Sequence, residues 1–200
     1  MPSAVSLAEG HDWELTMRND PPELLAKRLW YQGRKFCYEV NRLRLPNGSE
    51  GEWDCVRHPG GALAVPVTPE GQLVLVKQYR FTAQGRLLEF PAGTLEGGES
   101  PLQTIQRELQ EETGYCAHTW QSLGEFFLAP GYSDEIIYVY LATNLAPLAH
   151  HPQRDADEDI EVVLLTPTEL AKAIDQGAGV DAKTIASFFL ARHYLRNFEN

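Results

Sequence analysis

Glutamates recur at short, regular intervals in one stretch of this 200-residue chain. Glu108, Glu111 and Glu112 are three and four positions apart, so an α-helix would place their carboxylates on one face. Glu99 precedes them. Mg²⁺ prefers carboxylate oxygens and is usually shared with substrate phosphates. The pattern therefore indicates metal-assisted attack on a phosphate, and the alternative is a solvated acidic face in which Arg107 and Glu111 form an ordinary i,i+4 ion pair.

The element that must position these glutamates is a helix preceded by a glycine-rich loop. Ser100 is a preferred N-cap, Pro101 suits the first helical position, and Gln103 completes a capping box. Gly114 supplies a C-terminal stop, so the pattern predicts a helix from Ser100 to about Thr113. The apolar stripe expected to pack inward consists of Leu102, Ile105 and Leu109.

The same stretch carries a known signature. It resembles the Nudix box, GX5EX7REUXEEXGU, in which the final U is normally aliphatic and is Tyr115 here. Many fixed residues at fixed spacings make this signal specific. The matching residues are Gly93, Glu99, Arg107, Glu108, Leu109, Glu111, Glu112 and Gly114.

Two flanking features resemble the ADP-ribose pyrophosphatase branch of that family. The segment from Glu89 to Gly93 is similar to the E-x-PAG lead-in of this branch, and Pro130 follows Gly114 at the spacing of a proline that marks it. The resemblance runs from about Tyr38 to Leu195. It implies an α/β fold of the Nudix type, an α/β/α sandwich with a mixed sheet and an N-terminal antiparallel β extension. It also implies a homodimer that exchanges this extension.

The resemblance implies a metal site and a set of catalytic residues. Mg²⁺, with Mn²⁺ as the alternative, would be held by Glu108, Glu112, Glu111 and the carbonyl of Ala92. In this family a carboxylate on the loop before the last strand completes the site, as general base or as an additional metal ligand. Glu158 is the residue chosen for this role, and Asp157 is the alternative. Arg107 and Glu99 would hold the loop and the helix in place.

The resemblance also implies substrate contacts. Arg57 and Arg80 match positions of substrate-binding arginines, and an arginine at a strand end beside aromatic residues can clamp a diphosphate or stack on a base. In isolation each would be an ordinary surface arginine. The remaining implied substrate-binding residues are Glu89, Tyr132, which would stack on adenine, and Glu135, which would hydrogen-bond ribose or position phosphate.

Composition narrows the class of partner. The net charge is −11, from 17 basic and 28 acidic residues, which disfavours nucleic acid. The cysteines, Cys37, Cys55 and Cys116, lack the C-x-x-C spacing of a zinc site and indicate no disulfide framework. Because no secretory signal or membrane-spanning apolar run is visible, we expect a cytoplasmic protein without membrane association.

The chain is predicted to have two parts, residues 1–57 as a tail and dimerising β extension and residues 58–200 as the catalytic domain. Asn47-Gly48 predicts a hairpin with a return strand at 52–57, after strands that begin near Tyr31. A turn at 68–71 predicts a second, more buried hairpin. Its strands would be 62–67 and 72–77.

The last predicted element is a helix from Ala182 to Leu195, capped by Asp181 and covering one face of the sheet. The residues expected on or near its apolar side are Ile185, Phe188, Phe189 and Tyr194.

The expected activity is Mg²⁺-dependent hydrolysis of ADP-ribose to AMP and ribose 5-phosphate. One alternative is a pyrophosphatase for another nucleotide sugar or dinucleotide, because the box residues contact the diphosphate and not the attached group. Another is a non-catalytic Nudix-like ligand sensor. The intact box carboxylates and the short segment after the last helix argue against the sensor.

Overall fold

The computed structural model of the protein describes residues 20–149 and 159–196. This part of the chain contains ten strands and three helices. The elements are β1 (Glu23–Gln32), β2 (Cys37–Arg44), β3 (Glu50–Arg57), β4 (Gly61–Pro66), β5 (Leu73–Arg80), β6 (Gly85–Glu89), β7 (Ala92–Thr94), α1 (Pro101–Thr113), β8 (Tyr115–Phe127), β9 (Ile136–Pro147), β10 (Ile160–Leu165), α2 (Pro167–Asp175) and α3 (Ala182–Leu195).

Strand β4 lies at the centre of the fold and is buried at all of its positions. Leu63 and Val65 belong to a core cluster that includes residues of α2 and α3, whereas Ala62 and Ala64 belong to a second cluster, which includes residues of α1. Because successive side chains of a strand point to opposite faces, the sheet has helices on both sides. This arrangement confirms the predicted α/β/α sandwich.

The sandwich contains two sheets. In the first, ordered β7-β4-β9-β8, β4 runs parallel to β9 and the other neighbours are antiparallel. The second, ordered β10-β5-β6, is antiparallel. The mixed pairing follows the prediction.

The predicted hairpin between residues 62–67 and 72–77 is wrong. Strands β4 and β5 belong to different sheets and are joined by the isolated bridge between Val67 and Leu73. The turn itself is present, because the Gly71 N–H donates to the Thr68 carbonyl at 2.9 Å. A local turn signal marks a reversal of the chain, but the partners of a strand depend on its tertiary packing.

The N-terminal strands form a separate three-stranded sheet in the order β1-β2-β3. The β2–β3 hairpin is present as predicted, with Gly48 at φ 84° in its turn. Strand β1 begins at Glu23 rather than near Tyr31, because two register shifts break the alternation by which a strand is recognised. The division of the chain at residue 57 stays a prediction.

Helix α1 has the predicted ends. The Ser100 hydroxyl accepts from the Gln103 N–H at 3.3 Å, and the Gln103 side chain accepts from the Ser100 N–H at 2.9 Å. Gly114 ends the helix in the left-handed region, at φ 74°. Ile105 and Leu109 are fully buried, and Glu112 is buried beside them, so Glu108 and Glu111 lie on the more accessible side of α1.

Helix α3 begins after Asp181 as predicted, but its buried face differs from the prediction. Ile185 and Phe189 are exposed, whereas Phe188 and Tyr194 pack against the core. Small residues occupy most of the buried face, which lets the helix backbone approach the sheet closely. The buried residues are Thr184, Ser187, Ala191 and Leu195. None of the helices in the described ranges is long and apolar enough to cross a membrane.

Candidate functional site

A cleft of about 1140 Å³ lies beside α1 and is lined both by the sandwich and by the turn between β1 and β2. Four predicted site residues in the described part do not line it, namely Arg57, Glu89, Glu99 and Tyr132. Glu158 and its alternative Asp157 lie outside the described residues. The predicted residues that line the cleft are Arg80, Ala92, Arg107, Glu108, Glu111, Glu112 and Glu135.

Arg107 stands at the centre of the glutamates and binds three of them, a group we call the Arg107 cluster. Its Nη1 donates to Glu108 Oε1 and Glu111 Oε2, both at 2.9 Å. Its Nε and Nη2 donate to the two oxygens of Glu99 at 3.3 Å. Since Glu99 precedes the helix N-cap and the other partners lie on α1, one guanidinium ties the loop to the helix.

The charges of this cluster stabilise one another. Burial alone would lower the pKa of Arg107, but the hydrogen bond with Glu99 and the charge of Glu108 outweigh burial and raise it. The hydrogen bonds from Arg107 and from the Thr104 hydroxyl lower the pKa of the Glu99 carboxyl below its ordinary range. Arg107 and Glu99 are therefore both charged at neutral pH.

Glu112 is held differently from the other glutamates. It is only 3% exposed, and its Oε2 accepts from the backbone N–H of Ala92 at 3.1 Å. The next residue, Gly93, lies directly under Glu108, and a Cβ added to Gly93 would be 2.1 Å from Glu108 Oε1. Any other residue at position 93 would displace the Glu108 carboxylate, which explains the glycine in the signature.

The donors in this region fit a hard divalent cation. Glu108, Glu111 and Glu112 offer carboxylate oxygens to the cleft, next to the Ala92–Gly93 peptide, and Mg²⁺ prefers oxygen ligands. Within the described ranges, no three Asp, Glu, His or Cys side chains converge on one point. The reason is that Glu108 and Glu111 face Arg107 while Glu112 faces the Ala92 backbone. A cation would therefore compete with Arg107 for two of these carboxylates.

A second charged group borders the cleft. Arg80 makes a bidentate pair with Glu89, with Nε and Nη2 each 2.7 Å from a carboxylate oxygen. Lys183 also binds Glu89, and it binds Asp181, the N-cap of α3. Glu89 is 1% exposed, whereas Arg80 and Lys183 line the cleft. Burial would raise the pKa of Glu89, but the hydrogen bonds from Arg80 and the charge of Lys183 lower it below its ordinary value.

Sequence reasoning did not identify Lys183 or Asp181 as site residues. The N-cap pattern of Asp181 was visible in the sequence, but nothing local connects it to Glu89. The contact exists because α3 is docked on the segment that leads into the box. There the Leu88 N–H donates to the Gly179 carbonyl at 2.7 Å. The next contact is the Phe90 N–H, which donates to the Thr184 hydroxyl at 2.8 Å.

Arg57 links the N-terminal sheet to the loop after β8. Its Nε lies 3.1 Å from Glu39 Oε2 and its Nη1 lies 3.0 Å from Asp134 Oδ2. Asp134, which was not predicted, also accepts from the His58 N–H at 2.8 Å. The ring of Tyr132 on this loop is 63% exposed. The substrate-binding roles of Arg57 and Tyr132 stay predictions.

The chain is similar to a known domain family and to individual proteins of known name. The NUDIX domain model matches residues 57–188. The chain is 37% identical over 168 residues to the ADP-ribose pyrophosphatase of Bacillus subtilis (strain 168), covering 84% of this chain and 91% of that protein. It is 37% identical over 166 residues to the methanol dehydrogenase activator of Bacillus methanolicus, covering 83% of this chain and 88% of that protein.

A solved structure shares the fold. The crystal structure of an ADP compounds hydrolase superimposes with a TM-score of 0.74 at 23% sequence identity, covering 89% of this chain and 96% of that chain. At this identity the likeness is one of fold.

The Glu89 contacts generate a prediction about stability. Glu89→Gln removes the charge that Arg80 and Lys183 bind, but water reaches the 39% exposed Arg80 side chain and Lys183 retains Asp181, so the free energy of unfolding at pH 7 should fall by about 1–3 kcal/mol. Because the pKa of folded Glu89 lies below its ordinary value of 4.5, its contribution is present above that pH and is lost as the pH falls further. The difference between wild type and variant should therefore shrink in acid.

Urea unfolding at pH 7 and in steps below pH 4.5 measures this effect. Glu70→Gln, in an exposed turn, is the matched control and should leave stability unchanged. Equal stability of the Glu89 and Glu70 variants at pH 7 would contradict the role assigned to Glu89.

Proposed function

This chain belongs to the NUDIX domain family and is a Nudix hydrolase, and we propose that it hydrolyses the diphosphate of ADP-ribose to AMP and ribose 5-phosphate. The observation that carries the proposal is the gathering of Glu108, Glu111 and Glu112 in the same cleft as Arg80. The name of the Bacillus subtilis relative supports ADP-ribose as the substrate. The cleft volume of about 1140 Å³ is sufficient for a ligand of that size.

Divalent-cation binding is assigned to the box glutamates. We propose Mg²⁺, with Mn²⁺ as the alternative, held by Glu108, Glu111, Glu112 and the Ala92 carbonyl, with Glu158 as a further ligand or as the base. A cation bound there would neutralise the negative charge of the diphosphate and activate the attacking water. Glu112 is preorganised for this task because its buried carboxylate is already fixed by the Ala92 N–H.

The remaining site residues hold the carboxylates in position or bind the substrate. Glu99 and Arg107 hold the loop against α1, so the carboxylates keep their spacing, and small misplacements of such groups reduce rates strongly. Arg80 uses one edge of its guanidinium for Glu89, and its Nη1 donates to no residue in the described ranges. That edge is left for a phosphate oxygen of the substrate. Glu135, on the cleft wall, accepts a hydrogen bond from the ribose or helps to position the phosphate.

A homodimer formed through the N-terminal sheet is part of the proposal. Apolar side chains of β1 are exposed in the single chain, with Trp30 58% and Tyr31 66% accessible. Large apolar side chains exposed along a strand favour contact with a partner chain. Sedimentation should give a dimer for the wild type and a monomer for Trp30→Lys. A monomeric wild type at micromolar concentration would contradict the proposal.

We also propose a cytoplasmic location and no nucleic-acid partner. Cys37, Cys55 and Cys116 are free thiols, as expected in a reducing compartment. The net charge of −11 opposes binding to a polyanion. Recovery of the protein outside the cytoplasm after cell fractionation would contradict the first statement, and retention on immobilised DNA at physiological salt would contradict the second.

The substrate proposal is tested by comparing kcat/KM across nucleoside diphosphate compounds with Mg²⁺. The panel contains ADP-ribose, ADP-glucose, GDP-mannose, NADH and diadenosine polyphosphates. ADP-ribose should have the highest kcat/KM, and EDTA should abolish turnover. If another compound has a higher kcat/KM, the Nudix chemistry stands, but ADP-ribose is rejected as the preferred substrate. Tight binding without turnover of any compound would favour a ligand sensor.

The metal assignment is tested by Glu112→Gln. The substitution keeps the shape of the side chain and removes a charge that the cation needs, so kcat should fall by about 10²-fold or more while the fold is retained. Circular dichroism and urea unfolding check the fold. Glu125→Gln, an exposed substitution on β8, is the control and should keep normal turnover. Near-normal kcat in Glu112→Gln would reject Glu112 as a ligand.

A further inference from the structure

Lys183 occupies a position that local helix preferences do not favour. It is the second residue of α3, and the partial positive charge at a helix N-terminus disfavours a cation in the first turn. The basic residues of the last turn, Arg192 and His193, follow the opposite and favourable pattern. A residue that conflicts with its local structure is expected chiefly at functional or strained sites. The reason for this lysine therefore lies outside α3.

The ammonium group of Lys183 is held by two carboxylates. Its Nζ binds Glu89 Oε2 and Asp181 Oδ2, and its side chain is 13% exposed. An ammonium group carries three N–H donors. Within residues 20–149 and 159–196 no other acceptor binds Lys183, so one donor has no protein partner there. Because Lys183 lines the cleft, a ligand bound in the cleft can take this donor.

Glu89 places Lys183 and Arg80 side by side. Its Oε2 accepts from Arg80 Nη2 at 2.7 Å and also from Lys183 Nζ, so the two cationic groups are bound to the same oxygen atom. Both cations line the cleft, whereas the Glu89 side chain is only 2% exposed. The buried carboxylate thus holds together two cations that the cleft exposes.

The start of α3 is fixed to the chain on both sides of Glu89. The Leu88 N–H donates to the Gly179 carbonyl at 2.7 Å, and the Phe90 N–H donates to the buried Thr184 hydroxyl at 2.8 Å. Lys183 is therefore held in place before any ligand arrives. Preorganised donors of this kind bind a ligand with a smaller loss of conformational entropy.

The pair of cations lies near the proposed cation site. The hydrogen bond with Glu89 raises the pKa of Arg80 above its ordinary value, and the negative charge of Glu112 adds to this effect. Arg80 is thus close enough to Glu112 to feel its charge. A phosphate bound by a cation at the box glutamates would lie near Arg80, and with it near Lys183.

Directed donors, and not net charge, suit this group to a phosphate. Its two cations are balanced by Glu89 and Asp181, so it exerts little attraction on a distant anion. A phosphate oxygen at hydrogen-bond distance meets the unused N–H groups of Arg80 and Lys183 instead. Charge-assisted hydrogen bonds to phosphate are short and strong.

We propose that Lys183 is a substrate-binding residue, which donates its remaining N–H to a phosphate oxygen of the substrate beside the Arg80 guanidinium. The inference rests on the proposed function, because it takes the ligand to be a nucleoside diphosphate compound. Lys183 acts in binding and not in the chemical step. Its removal therefore raises KM and leaves kcat within about twofold, as expected for uniform binding.

The first test is equilibrium binding of α,β-methylene ADP-ribose, a non-hydrolysable analogue, measured by calorimetry with Mg²⁺. Lys183→Met should raise Kd about tenfold, the effect of losing one charge-assisted hydrogen bond. Lys172→Met replaces an exposed lysine on α2 outside the cleft, so it is the matched control and should leave Kd unchanged. Thermal unfolding checks that both variants are folded.

The second test uses the wild-type protein and separates a direct contact from an effect transmitted through Glu89 and Arg80. The protein is labelled with ¹⁵N-lysine, and the Nζ resonance of Lys183 is assigned by its absence in Lys183→Arg. Addition of the analogue should shift this resonance and couple it to ³¹P across the hydrogen bond, while the Lys172 resonance stays in place. An unchanged Lys183 resonance at saturation would overturn the inference, even if Lys183→Met raises Kd.

The outcomes separate this inference from the proposed function. If the wild type binds the analogue but does not hydrolyse ADP-ribose, the proposed function fails and the Lys183 resonance still decides the role of this lysine. If Lys183→Met matches Lys172→Met in Kd, the inference is overturned. If the wild type does not bind the analogue, both proposals fail. If Lys183→Met does not fold, the resonance of the wild type decides.

Discussion

Repulsion between carboxylates is the constraint on which this structure depends. Two like charges 4 Å apart repel by about 4 kcal/mol at an effective dielectric constant of 20, and α1 presents three glutamates on one face with Glu99 beside them. Arg107 compensates for this repulsion through hydrogen bonds to three of them. Arg107 thus holds together the carboxylates that we propose bind the cation.

Other contacts in and around α1 also position its glutamates. The capping box fixes where α1 starts, and the buried Ile105 and Leu109 fix which face it turns to the cleft. The Ala92 N–H orients Glu112, while Gly93 leaves room for Glu108. The capping contact joins residues three apart, and the contacts of Ala92 and Gly93 stay within the single stretch from Ala92 to Glu112, so only the packing of α1 on the sheet depends on distant parts of the chain.

This locality explains what could be predicted from the sequence. The helix ends follow from capping preferences at Ser100 and Gly114, and the glutamate face follows from helical spacing. The separation of β4 from β5 could not be predicted, because β4 takes its parallel partner β9 from more than seventy residues away. Register shifts in β1 likewise hide its alternation.

Some residues of the cleft could be predicted from their own segment of the sequence, whereas others reach the cleft only through tertiary packing. Arg80 and Glu89 were recognised from their own segments, whereas Lys183 reaches Glu89 only because α3 docks there. Arg34 and Lys35 come from the other end of the chain, and their turn reaches the cleft where the Phe36 ring stacks on the His58 ring. The distribution of charge within the site is a tertiary property that residue spacing does not contain.

The measurement that tests the account most directly is ³¹P NMR of ADP-ribose incubated with the wild-type protein. Before Mg²⁺ is added, the two diphosphate resonances should persist. After addition, they should be replaced by two phosphomonoester resonances, those of AMP and ribose 5-phosphate, with no inorganic phosphate. Persistence of the diphosphate resonances, or release of inorganic phosphate, would contradict hydrolysis of the diphosphate at the α1 carboxylates.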